Sequence, residues 1–260
     1  MEKLLIVFIY TLFAEGIFSQ EGDHINGGRF LKTIEYNRTG WIENGYNIEN
    51  KEDVEQLFYG RYNAPVEFLY DPTVEYCNCY DGPSGFRLLM DSIKKSYILE
   101  VKYITNFKEA EEVAGMKYPL SGPPTSTFGS KPGEKPLTSD EKKLLEKQGK
   151  ERFKNNKEER IRLYNVKGLS FAVSDQFAEK LYNKTVSFID NFKAKGAIPL
   201  IFDGYSVSFR TVVGDELWSL NIHMPKGNAF KMATIYKQIL EDAKKNIFEE
   251  DKYIRLLNDF

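Results

Sequence analysis

The sequence predicts an α+β fold in which antiparallel β-hairpins pack with helices, arranged as two similar helix–strand–hairpin–helix halves. Three observations predict it. Two stretches alternate apolar and polar residues with period two and fold back on themselves, amphipathic helical runs flank them, and both hairpins open with a DG-x-S pattern followed by Phe-Arg. The chain has 260 residues, of which 42% are apolar and 28% charged. That balance suits a real core and excludes collagen-like, disordered and multi-span membrane classes. A net charge of −2 argues against a nucleic-acid partner. Aromatic residues are abundant at 14%.

The first element is an address. Lys3 precedes an apolar run from Leu4 to Ala14, which is the length of a signal-peptide core and too short for a membrane span. Residues 1–19 are therefore expected to be a cleaved signal peptide, and the product an exported, periplasmic or secreted protein and not an integral membrane protein. Residues 20–118 form the expected N-terminal α+β half. Its first thirty residues read as irregular with one edge strand. Val54, Leu57 and Phe58 then space a helix over 52–59, and Val66 to Tyr70 extend after Pro65. In the first hairpin Phe86, Leu88 and Met90 alternate with Arg87 and Asp91, and Tyr97, Leu99 and Val101 alternate with Ile98, Glu100 and Lys102; a short helix follows from Asn106 to Ala114, with Asn106 read as its cap. Residues 119–137 hold five of the ten prolines and read as a linker or long surface loop.

Residues 138–260 form the second half. Thr138 to Glu141 match a capping box opening a charged helix over 140–162, stabilised by ion pairs four residues apart. Leu169 to Val173 read as a strand. Ser174 or Asp175 caps a helix whose apolar face carries Phe177, Leu181, Val186, Phe188, Ile189 and Phe192. In the second hairpin Gly214-Asp215 suits a two-residue turn, and that register sets Phe209 opposite Leu220 and Val207 opposite Ile222. Helices over 228–245 and 252–257 close the chain. The openings Asp81-Gly82-Pro83-Ser84 and Asp203-Gly204-Tyr205-Ser206, with Phe86-Arg87 and Phe209-Arg210 after them, carry the internal repeat.

The segment DGYSVSFRTVVGDELWSLNIHMP, residues 203–225, resembles one recurring in exported proteins of bacteroidete-type bacteria that have no established activity. The likeness extends over 165–260 and more faintly over 60–115. It implies export and an α+β fold, and it implies no chemistry.

On the second hairpin the register sets Ser206 opposite His223, Ser208 opposite Asn221 and Arg210 opposite Ser219, so Ser206, Ser208, Arg210, Ser219, Asn221 and His223 form a polar face and are the candidate binding residues. A nucleophilic reading of Ser206 and His223 with Asp203 lacks the sharp turn and oxyanion donors that acyl transfer needs. Three readings of Cys77 and Cys79 stay open: a tight disulfide, two free or intermolecular thiols, and a redox-active pair. With two histidines and two cysteines most zinc patterns cannot be built, and no metal or cofactor is expected. The sequence leans toward a non-enzymatic module binding a protein or a glycan. The alternatives are a hydrolase using paired carboxylates such as Asp81 and Asp203, and a thiol-redox protein. Many aromatics, among them Phe86, Tyr97, Phe177, Phe188, Phe209 and Trp218, fall on inward positions, which leaves Trp41, Tyr46, Tyr62, Tyr76, Tyr80 and Phe128 for a binding surface.

Overall fold

The protein is seen in a computed structural model, which describes residues 32–35, 53–60, 63–73, 82–91, 94–120, 138–192, 204–214 and 216–260. Residues 1–19, Cys77 and Cys79, Asp81, Asp203, Asp215, Trp41, Tyr46, Tyr62, Tyr76, Tyr80, Phe128 and most of 119–137 lie outside the described residues. The fold is α+β, as expected. Its strands are β1 (Lys32–Glu35), β2 (Val66–Thr73), β3 (Ser84–Asp91), β4 (Ser96–Ile104), β5 (Val166–Val173), β6 (Gly204–Val213) and β7 (Glu216–His223). The helices are α1 (Asp53–Tyr59), α2 (Phe107–Lys117), α3 (Ser139–Leu163), α4 (Asp175–Asn191), α5 (Gly227–Lys244) and α6 (Glu250–Asp259). The chain divides into two compact units, residues 1–104 with 166–260, and the insertion 105–165.

In the first unit the strands form one sheet in the order β1-β7-β6-β2-β3-β4-β5. β1 joins β7 in parallel, and the other six run antiparallel. β2 is central and receives a hairpin on each flank, β3–β4 on one side and β6–β7 on the other. The second hairpin has the register its alternation predicts, Phe209 with Leu220 and Val207 with Ile222. Gly214 turns it at φ +61°, a left-handed conformation that costs glycine little.

Alternation along these strands puts one apolar row on one face: Leu220, Phe209, Phe68, Phe86, Val101 and Leu169 lie side by side across the sheet. Against it pack Phe177, Leu181, Phe188 and Ile189 of α4, Met232, Tyr236, Ile239 and Leu240 of α5, and Tyr253 and Leu257 of α6, in one continuous core. Phe68 is the hub. Its ring centroid lies 5.5 Å from that of Phe86, 5.2 Å from Phe209 and 5.1 Å from Tyr236. The Tyr236 hydroxyl is partnered by Thr185 Oγ1 at 2.5 Å, and burial pushes its pKa up. Tyr97 and Trp218 are half-buried at the margin of this core.

α4 starts where Ser174 Oγ accepts from the Phe177 amide at 3.2 Å, so Ser174 is its cap. α5 ends in a tightened turn with Asn246 at φ +57°, a residue type that tolerates the left-handed region. Asp242 then receives Lys252 Nζ at 2.5 Å and Tyr253 Oη at 2.6 Å. Burial opposes its ionisation, but these two donors hold its pKa below the usual value.

The insertion is an antiparallel helical hairpin closed at its neck. Thr105 N donates to Asn165 O at 2.9 Å. Asn106 occupies the cap position of α2, but its side chain makes no cap bond. It donates to Leu163 O at 2.9 Å and accepts from Asn165 N at 2.7 Å, tying the two ends of the insertion together. Thr138 and Glu141 form the expected capping box at the start of α3. The pairs Glu146–Lys150 and Lys154–Glu158 line the exposed face, as expected for a solvated helix, and contribute little each.

Between the two helices Glu159 accepts from Arg162 at 2.7 Å and from Lys117 at 3.0 Å. These hydrogen bonds, Arg162 first, hold its carboxyl at about 2 against an ordinary 4.5. A depressed carboxyl pKa stabilises the fold above the unfolded value and loses that contribution as pH falls through the folded value. The Glu159→Gln variant is therefore expected to melt its helices below the wild type at pH 6, with the gap closing between pH 4.5 and pH 2 in circular-dichroism melts. A gap that persists at pH 2 would refute the assignment.

Candidate functional site

The face of the sheet opposite the core carries a second row, one residue along from the apolar one: Ser219, Arg210, Glu67, Arg87, Glu100 and Ser170. Both Phe-Arg dipeptides therefore flank Glu67-Phe68 of β2, with the phenylalanines in the core and the arginines beside Glu67. α1 lies over this row because Gly85 makes room for it. A Cβ at position 85 would lie 2.2 Å from the Tyr59 hydroxyl. That hydroxyl donates to Phe68 O at 3.1 Å, and burial first, then the charges of Glu67 and Glu55, raise its pKa well above the ordinary value.

Charges fill the space beneath α1. Arg210 Nη1 donates to Glu55 Oε2 at 3.1 Å and its Nε lies 3.9 Å from Glu67 Oε2, all three residues being buried. Glu67 also accepts from Ala64 N at 3.1 Å. Arg87 meets Glu100 at 2.5 Å and donates to Tyr59 O at 3.3 Å, while Lys102 donates to Phe58 O. α1 carries no basic residue in its last turn. The strands supply the cations for its C-terminal carbonyls, where the helix dipole favours them.

This geometry divides the six predicted binding residues. Ser206 faces His223, Ser208 faces Asn221 and Arg210 faces Ser219, in the register read from the sequence. Ser208, Arg210 and Ser219 are buried, and Arg210 is engaged by two carboxylates. Asn221 is exposed and accepts from the Ser208 hydroxyl, and Ser206 and His223 are half-buried. Ser206 Oγ lies 3.1 Å from His223 Nδ1, and His223 Nε2 has no partner among the described residues. Across the sheet the order is Asp71, Ser206, His223. A triad needs the imidazole between the acid and the hydroxyl, so this row cannot relay a proton in that way. Among the described residues no cluster of three or more His, Cys, Asp or Glu side chains could hold a metal. No helix among them is long and apolar enough to cross a membrane.

The accessible feature lies at the far side of the sheet, at β5. On its outer side no strand pairs with β5 among the described residues. The ladder phase shows which main-chain groups are open. Ile104 N donates to Pro83 O, so Ile104 bonds toward β3, and antiparallel alternation makes Tyr97, Leu99, Val101 and Tyr103 bond to β5. Their partners Val173, Phe171, Leu169 and Lys167 are thereby used, and the amides and carbonyls of Val166, Gly168, Ser170 and Ala172 point outward. Gly168, Ser170 and Ala172 are all exposed and all small.

A cleft of about 830 Å³ runs along the end of this edge, lined by three consecutive β5 residues, Ser170, Phe171 and Ala172, and by Phe248, Glu249 and Asp251 before and within α6. Its apolar floor is fixed from below, the Phe248 ring lying 5.6 Å from Phe171 and 5.5 Å from both Phe177 and Tyr253. Glu250 is committed to Ser174 N at 2.9 Å. Neither this edge nor Glu249 and Asp251 were singled out by the sequence. The signal present was the alternation in VKGLSFAV, where one face carries apolar Leu169, Phe171 and Val173 and the other only Gly168, Ser170 and Ala172. Searches of protein-family models, curated proteins and solved structures find no match to the chain.

Proposed function

We propose that the protein is an exported, non-enzymatic binding module that takes up an extended segment of a protein partner along β5. The observation that carries this reading is the open row of main-chain donors and acceptors on Gly168, Ser170 and Ala172, beside a cleft with an apolar floor. An unpaired edge is a template for strand addition, and natural edges are usually guarded by lysine, proline or a bulge. β5 carries one lysine, Lys167, no proline, and no bulge in its pairing with β4. The apolar run Leu4–Ala14 supports export. The consumption of Arg210, Ser208 and Ser219 in the interior favours binding at β5 over binding on the hairpin face.

The test is a fluorescein-labelled eight-residue valine–threonine peptide with a central arginine, titrated by anisotropy. Micromolar binding is expected. Ser170→Pro, which removes an outward N–H without touching the ladder to β4, is expected to weaken it at least tenfold, as is N-methylation of alternate peptide nitrogens. Binding that ignores both changes would overturn the reading, as would uptake of a β-glucan oligosaccharide in place of the peptide.

A further inference from the structure

The end of the β5 edge differs from its beginning in charge. Glu249 and Asp251 stand at the mouth of the cleft, both exposed, and neither has a cationic partner among the described residues, whereas Glu250 between them is turned to Ser174. Among the described residues no Lys, Arg or His lines the cleft. The cleft therefore offers an aromatic floor from Phe171 and Phe248 with two carboxylates above it. Ile247, 57% exposed, precedes Phe248 in the same α5–α6 connection.

An aliphatic stem tipped by a cation matches that arrangement. The methylenes of arginine or lysine cover an aromatic floor while the head group stays with the carboxylates at the water boundary. A planar guanidinium adds two-pronged hydrogen bonding to a carboxylate and stacking on a ring. A strand lying on β5 alternates its side chains between the two faces, so every second residue is directed to the side on which Phe171 and Phe248 lie. Resting on the reading of β5 as a strand-accepting edge, we infer that the preferred segment is cationic: an extended peptide carrying arginine, or lysine less well, at the position that reaches the cleft between Phe248, Glu249 and Asp251.

The experiment compares three forms of the valine–threonine peptide, with arginine, glutamine or glutamate at the centre, on the wild type and on the Glu249→Gln/Asp251→Asn double variant. On the wild type the arginine peptide is expected to bind about tenfold more tightly than the glutamine form and the glutamate form more weakly still. The double variant is expected to abolish that ranking while leaving the glutamine peptide unchanged, and salt at 0.5 M is expected to compress it, because exposed charge pairs are screened. Equal binding of all three peptides, still sensitive to Ser170→Pro, would overturn the cationic preference and leave the edge reading standing. Absence of binding by any of the three would overturn both. Self-association that Ser170→Pro dissolves would make a second copy of this chain the occupant and would likewise overturn the inference.

Discussion

Replacing Arg210 by alanine is expected to cost about 3–5 kcal/mol of stability, because it removes the cation that neutralises two buried carboxylates. Arg210 comes from a part of the chain distant from Glu55 and Glu67, and the Arg210–Glu55 bond spans 155 residues of sequence. With the guanidinium gone, both carboxylates face a low-dielectric space beneath α1 without Arg210, and the lifting of α1 to admit water is the cheapest response. Urea unfolding at pH 7 checks the magnitude. A companion variant, Arg210→Met with Glu55→Leu and Glu67→Gln, is expected to recover most of the loss, since an uncharged, largely apolar replacement of a buried ion cluster is often neutral and the Gln carbonyl can still accept from Ala64 N. A loss below about 1 kcal/mol in the single variant would mean that the cluster is hydrated and that α1 does not seal it.

Phe68→Ala attacks the other face of the same sheet, and a loss of about 3–5 kcal/mol is expected there too. The mechanism differs. Phe68 is fully buried, and its ring touches Phe86, Phe209 and Tyr236, so truncation leaves a cavity that three other large rings cannot all move to fill. Phe68→Leu is expected to cost roughly half as much, since most of the volume stays.

What the chain's own alternation could decide was decided well. The register of β6 on β7 follows from the facing apolar residues and one glycine at φ +61°, all within twenty residues. The capping box at Thr138 and the cap at Ser174 are equally local. The place of β2 between β3 and β6 was not legible, because nothing near Val66 to Thr73 says which distant strands will flank it. Its one clue was Glu67, a carboxylate inside the apolar run Val66-Glu67-Phe68-Leu69. Such a residue calls for a buried cation, and each Phe-Arg dipeptide offered one. For the same reason Arg210 read as a binding residue: the cover supplied by α1 and the glycine that lets it approach are long-range facts. The open edge at β5 is another, since being last in a sheet is a property of the whole strand order.

The central position of β2 has a consequence for how the molecule is made. Phe68 pairs with Phe209, so a ribosome working at about 5–20 residues per second needs roughly 7–30 s after finishing β2 to deliver its second neighbour. Through that interval one flank of β2 stays unpaired and Glu67 has no Arg210 to meet. The sheet closes only when the last quarter of the chain arrives, and that late event joins the two hairpins and buries the charges together.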